Sequence, residues 1–300
     1  MGRFAQILDR IERVLGLAER HLIERSTPTY APDFFEGHLA FRWEASARGD
    51  AAGRLVPIEA PLLCDPGDLI GVARNLDRLT RNTRQHVRGL PSNHVLLFGE
   101  RGTGKSSAVK SLLSTFGSDG LRLIEVHRDE LIQLPLVLRA IARDAGHHRF
   151  LIFADDLSFG PGEPGYRELK AALEGSLDGP PENVRIVATS NRRHLLPESM
   201  LDNRGAHVDE QGELHIGEAL DEKLALADRF GLELGFYPFD QETYLAIVRH
   251  YYDQAGLPAG EWDAARVGAL RWALERASRS GRTAYHFVVD LAGRAGLDAT

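Results

Sequence analysis

Gly99, Gly102, Gly104, Lys105 and Ser106 are the residues of this chain whose types and spacing most plainly carry chemistry. Glycines let backbone N–H groups close around an oxyanion, because no side chain stands in the way. Gly99-Glu100-Arg101-Gly102-Thr103-Gly104-Lys105-Ser106 fits G-x-x-x-x-G-K-[ST], the Walker A pattern in which backbone amides cradle phosphates while a lysine and a hydroxyl manage charge and metal. Short patterns recur by chance, so the flanks decide. His94 to Phe98 is an apolar run suited to a buried parallel strand, and Lys105 to Thr115 places Val109, Leu112 and Leu113 at helical spacing. Strand, glycine loop and helix in that order set bound phosphates at a helix N-terminus, where unpaired N–H groups and the helix dipole favour anions.

Hydrolysis needs a metal partner and a group that orients water. In "FLIFADDLSF" the apolar residues Phe150 to Phe153 deliver Asp155 and Asp156 to a strand end, where ligands of open α/β sheets collect. Asp155, with Ser106, is the candidate Mg²⁺ holder, and Asp156 the candidate water-orienting group. "VRIVATSNRRHLLPE" repeats the geometry on another strand that ends in Thr189, Ser190 and Asn191.

These residues need a scaffold. Strand candidates Leu121–Val126, Phe150–Ala154, Val184–Thr189 and Leu232–Phe236 alternate with helical segments Glu130–Arg143, Tyr166–Leu177 and Leu220–Phe230. With the strand before the glycine loop they predict a five-stranded parallel sheet covered on both faces. After Pro238 the pattern becomes helical, over Gln241–Ala255, Trp262–Ser278 and Thr283–Ala295. Ahead of the sheet lie an amphipathic helix, Phe4–Ile23, and an aromatic-rich stretch, "TPTYAPDFFEGHLAFRWE", whose rings favour packing on the main domain over forming a partner site. The predicted division is therefore 1–61, an N-terminal appendage; 62–238, the nucleotide-binding α/β domain; and 239–300, a helical lid.

Composition sets outer limits. Three hundred residues with 43% hydrophobic content can bury a full core. A formal charge of -7 gives no global basic field, so nucleic acid is possible only through a local basic surface. The single cysteine, Cys64, excludes an intramolecular disulfide and a paired-cysteine zinc site. No signal peptide or membrane span is read, which predicts a cytoplasmic protein with no membrane partner.

The order of parts resembles the AAA+ ATPases over roughly residues 62–296: Walker A, an apolar strand ending in two aspartates as Walker B, a strand ending in Asn191 as sensor 1, an Asp-Arg-Phe segment and a helical lid. The resemblance implies that "DLIG", with Leu69, Ile70 and Gly71, contacts adenine. It implies that Arg101, Thr103 and Ser107 join the glycine loop around ATP. It also implies that Arg229 of "ADRFGLELGFYPFD" is an arginine finger reaching into a neighbouring subunit, and that Arg282 of "SGRTAYHF" reads the γ-phosphate of its own subunit as sensor 2. More narrowly, "GERGTGKSS", "ADDLSF", "GFYPFDQETYLAIV" and "GRTAYHFVVDLAGRAG" resemble a bacterial AAA+ family described mainly as a domain of unknown function.

The implied activity is Mg²⁺-dependent ATP hydrolysis at a subunit interface of a homo-oligomer, ring or helical, coupled to lid movement and to remodelling or loading of a protein client. Asp156 stands where many AAA+ proteins carry glutamate, and "HRDELIQLPLVL" lacks the aromatic-hydrophobic-glycine loop of protein unfoldases. Both departures keep a second reading open, an ATP-gated assembly or loading module with little turnover. The polar segment Leu201–Lys223 reads equally as a surface loop or as an interface element that makes Arg204 a rival finger. His147-His148 lacks a third ligand for a metal, and Arg192-Arg193 reads as solvated or as phosphate-directed. A GTPase would need a guanine-reading N-K-x-D, which is absent.

Overall fold

The computed structural model describes residues 28–46, 53–142, 148–159, 163–174, 181–191, 207–208, 214–215 and 226–298. The Phe4–Ile23 helix, Arg192-Arg193, His147 and Arg204 lie outside the described residues, as does most of the Leu201–Lys223 segment.

The strands are β1 (Ala40–Glu44), β2 (Arg54–Pro57), β3 (Val95–Gly99), β4 (Leu121–Glu125), β5 (Arg149–Ala154), β6 (Val184–Ser190), β7 (His207–Val208), β8 (Leu214–His215) and β9 (Leu232–Phe236). Seven form one sheet in the order β2-β1-β4-β5-β6-β3-β9, while β7 and β8 pair separately. The five expected strands are present and parallel, but the sheet has seven. The segment expected as an N-terminal appendage supplies the two extra strands: β1, in its aromatic-rich stretch, runs parallel to β4, and β2 returns antiparallel along β1. Its rings pack inward, with Phe35, Phe41 and Trp43 fully buried in the same core as Phe150 and Ile152.

Alternation along the strands divides the core. Val95, Leu97, Leu151, Phe153, Leu234 and Phe236 face one way; Leu96, Phe98, Phe150, Ile152, Ile186 and Ala188 face the other. The first face is covered by α1 (Ala73–Val87) and α2 (Lys105–Phe116), the second by α3 (Leu134–Ala142) and α4 (Pro164–Glu174). Three further helices, α5 (Gln241–Gln254), α6 (Trp262–Glu275) and α7 (Gly281–Asp298), form the C-terminal bundle. Asp240 caps α5 by accepting from the Thr243 N–H at 2.7 Å, which fixes the bend after β9. No described helix is long and apolar enough to cross a membrane.

Candidate nucleotide site

Parallel strands end at one edge of the sheet, so the loops after β3, β5 and β6 converge there. Because β6 lies between β3 and β5, Asn191 stands between the glycine loop and the aspartates. Lys105 Nζ donates to the carbonyls of Gly99 (2.8 Å) and Glu100 (2.6 Å) and to Asn191 Oδ1 (3.2 Å). On its other side the Asn191 amide donates to Asp156 Oδ1. One amide thus joins the lysine to the second aspartate.

The first aspartate faces the start of α2. Asp155 Oδ1 accepts from Ser106 Oγ at 2.7 Å and from Thr189 Oγ1 at 2.5 Å. Thr189 Oγ1 also accepts from the Asp156 N–H at 2.8 Å, which holds the strand end in place. Asp156 adopts φ 52, a left-handed conformation that aspartate tolerates better than most side chains.

The loop uses its glycines as the motif requires. Gly99, Gly102 and Gly104 have φ of 128, 76 and 98. A Cβ on Gly99 would stand 1.8 Å from the Phe236 carbonyl oxygen, so β9 approaches the loop too closely for any side chain. Thr103 Oγ1 donates to the Glu100 carbonyl at 2.7 Å and closes the turn. Lys105 is 7% exposed and makes no ion pair among the described residues; burial pushes its ammonium below the ordinary lysine range, partly offset by Asp156 and Asp155. A buried cation held only by carbonyls and an amide is a place for an anion.

The C-terminal bundle completes the cleft. The Arg282 N–H donates to the Gly102 carbonyl at 3.3 Å, so α7 begins against the loop. On the opposite wall, Asp68 Oδ1 accepts from Gln254 Nε2 and meets His250 Nε2, both at 2.8 Å, tying the Asp68–Gly71 segment to α5. The resulting cleft of about 520 Å³ is lined by Leu69, Ile70, Gly102 to Ser107, Asp155, Asp156, Asn191 and Arg282, with Arg101 at its rim. Gly71, Gly99 and Glu100, expected at the nucleotide, are not among the lining residues: Gly71 (φ 82) faces Thr243 and Phe239, and the Glu100 N–H donates to the Phe236 carbonyl.

Arg229 lies elsewhere. It precedes β9, at the edge where parallel strands begin, whereas the glycine loop follows β3 at the edge where they end. Its guanidinium pairs with Glu174 at the end of α4.

Sequence reasoning did not single out Tyr251 and Tyr285, whose rings meet edge to face at 5.4 Å and line the apolar side of the cleft with Phe239 and Ile247. Tyr251 follows Tyr244, Ile247 and Val248 on the apolar stripe of α5, where the spacing reads as core and gives no signal of a site. Among the described residues no three His, Cys, Asp or Glu side chains cluster as a metal site. Ser106 and Asp155 nevertheless suit Mg²⁺, which binds through one or two protein oxygens together with substrate phosphates.

This strand order, glycine loop, paired aspartates and C-terminal bundle define an AAA+ P-loop NTPase fold. A family model described as "Protein of unknown function (DUF815)" matches residues 36–295, and the chain belongs to that family. No curated protein matches it. Among solved structures, a Thermotoga maritima RuvB variant aligns at TM-score 0.52 and 15% identity, covering 79% of this chain and 67% of RuvB. The Aeropyrum pernix ORC1 protein in complex with DNA gives 0.43 and 15%, over 74% and 65%. A chain of the E. coli MS115-1 HORMA:CdnC:Trip13 complex gives 0.46 and 11%, over 75% and 89%.

Proposed function

We propose that this AAA+ protein binds ATP with Mg²⁺ and hydrolyses it at a contact between copies of the chain, using the cycle to move the C-terminal bundle against the sheet domain. The observation that carries the reading is the buried Lys105 ammonium, which has no carboxylate partner among the described residues and sits at the mouth of a glycine loop with open backbone amides. In this reading the loop amides and Lys105 hold the phosphates, Ser106 and Asp155 hold the metal, and Asp156, steadied by Asn191, orients water. Bound Mg²⁺ would neutralise charge on the phosphate oxygens. Leu69, Ile70, Tyr251 and Tyr285 enclose the base. Arg282 moves with the bundle and reports the γ-phosphate to α7. Arg229, remote from its own glycine loop, serves the nucleotide of a neighbouring copy, which requires a head-to-tail ring or helix. The output is remodelling or loading of a partner.

ATP binding measured by calorimetry and Mg²⁺-dependent phosphate release test this directly. Wild type should do both, and Lys105→Ala neither. Binding that survives Lys105→Ala would sink the assignment. A second reading, an ATP-gated assembly module with little turnover, draws on the Asn191 contact with Asp156: a carboxylate one methylene shorter than glutamate and already engaged by an amide reaches water less directly. ATP-dependent assembly with negligible phosphate release would select it.

A further inference from the structure

The helix that leads from the cleft to the first central strand is built almost entirely of arginine on its outer face. α1 and its C-cap carry Arg74, Arg78, Arg81, Arg84 and Arg88, with no lysine and one acid, Asp77. At about 100° per residue these arginines fall within an arc of roughly 120°, opposite the buried Leu79, Thr83 and His86. Arg74, Arg81, Arg84 and Arg88 are exposed and Arg78 half-buried. None of the five pairs with a carboxylate among the described residues.

Helix stability accounts for only part of this: Arg84 in the last turn and Arg88 at the cap suit the dipole, and Arg84 lies 5.9 Å over the Phe116 ring, but Arg74, Arg78 and Arg81 have no such reason. An exposed helical face is usually laced with opposite charges four residues apart, and the first turn favours acids. Here the first turn holds Arg74 and no acid. Five like charges on one face repel each other, in a chain whose total charge is -7.

The band continues past the helix. Arg149, at the start of β5, brings Nη2 within 2.7 Å of where a Gly89 Cβ would stand, and Arg185 lies close enough to Arg149 to feel its charge. Among the described residues both guanidinium groups bond only carbonyl and hydroxyl oxygens.

The geometry points to a nucleic-acid backbone as the ligand of this face. From Arg74 to Arg88 the stripe runs about 21 Å along the helix axis, long enough to reach several phosphates of a duplex. Guanidinium forks match phosphate oxygens in pairs. No large apolar side chain is exposed on α1, and Leu90 past its cap is a single exposed side chain, less than the cluster a protein partner would bury. Contacts of this kind read phosphate and not base, and their affinity falls steeply with salt.

Fluorescence anisotropy with labelled duplex DNA and duplex RNA, on the full chain without nucleotide and across a salt series, tests the inference; the two duplexes distinguish the sources of phosphate. The log affinity should fall against log salt with a slope of about -4. The triple variant Arg74→Gln, Arg78→Gln, Arg81→Gln should lose on the order of 100-fold in affinity near 0.1 M salt and about three units of slope, while ATP binding at the cleft and the melting temperature hold. Arg→Lys at the same positions should keep the slope. Absence of binding to either duplex at 50 mM salt, or a triple variant that binds like wild type, would overturn the inference. Because ATP binding is read separately, failure here leaves the nucleotide site standing.

Discussion

Arg229 pairs with Glu174 of its own chain, at the opposite edge of the sheet from its own phosphate loop. That relationship separates the two arginines that the proposed mechanism uses. Arg282 lines the cleft of its own chain, and Arg229 serves only if a second copy brings a cleft to it. An arginine finger contributes on the order of 10³ to 10⁵ in rate. Arg229→Ala should therefore lower phosphate release at least 1,000-fold while leaving ATP affinity within about threefold. Mixing Arg229→Ala with Lys105→Ala should restore part of the activity, since each then supplies what the other lacks. Steady-state rates across protein concentration check this; a rate flat with concentration removes the shared site.

Asp156 offers a cleaner substitution than its exposure suggests. Its φ of 52 penalises most side chains, but asparagine tolerates the left-handed region about as well as aspartate. Asp156→Asn keeps the backbone and removes the carboxylate proposed to orient water. Loss of a positioned base costs typically 10² to 10⁴ in rate. Phosphate release should fall by about that much, with ATP-dependent assembly retained in light scattering. Asp155→Ala should instead weaken the Mg²⁺ dependence of ATP binding, because Asp155 is the carboxylate that faces Ser106.

Two buried histidines set an acid limit on stability. His86 Nε2 lies 3.1 Å from the Phe150 carbonyl, and burial lowers its pKa to about 3. His94 Nδ1 accepts the Ile186 N–H at 2.9 Å, a bond that protonation would break, and burial lowers its pKa to about 4. Both are neutral in the folded chain and take a proton near pH 6.5 once unfolded. Below that pH the unfolded state binds more protons, so stability is complete above about 6.5 and declines as pH falls toward 4 and then 3. At pH 5 the loss is on the order of 2 kcal/mol for each histidine. Thermal melts at pH 7 and pH 5 should show it, and His86→Gln, which keeps a donor for Phe150, should remove about half the difference.

The strands nearest the site were the legible part of the sequence. Leu232–Phe236 falls where the pattern predicts, the strand before the glycine loop is shifted by one residue, and the other three differ by a residue at one end, because strands buried on both faces leave continuous apolar runs. β1 and β2 were not legible as strands. "AFRWE" mixes buried and exposed positions, "RLVP" is short and ends in proline, and the partner strand β4 is remote in sequence. The predicted helix Glu130–Arg143 divides into a 3-10 segment, Arg128–Gln133, and α3, which starts at Leu134 with Pro135 in its first turn, where a missing N–H does no harm. In the site, the glycine loop and the carboxylates were readable because each motif is local. Tyr251, Tyr285, His250 and Gln254 meet the cleft only once the bundle has folded over it.

Gly99 and Gly104 belong to one motif but answer to different constraints, and alanine at each should separate fold from site. At Gly99 an added Cβ collides with backbone, 1.8 Å from the Phe236 oxygen, and the neighbouring Glu100 N–H bonds that same carbonyl at 3.0 Å. β9 cannot keep its register beside β3 with that atom present. Gly99→Ala should therefore cost about 3 kcal/mol or more, lower the melting temperature and abolish ATP binding together. At Gly104 the nearest atom to an added Cβ is Leu69 Cδ2 at an ordinary 3.5 Å, so only the φ of 98 is penalised, by about 1 to 2 kcal/mol. Gly104→Ala should remain folded at room temperature and lose ATP affinity, because the new methyl stands beside Leu69 in the cleft. Melting curves with and without ATP distinguish the two: Gly99→Ala melts early in both, and Gly104→Ala loses mainly the shift that ATP confers.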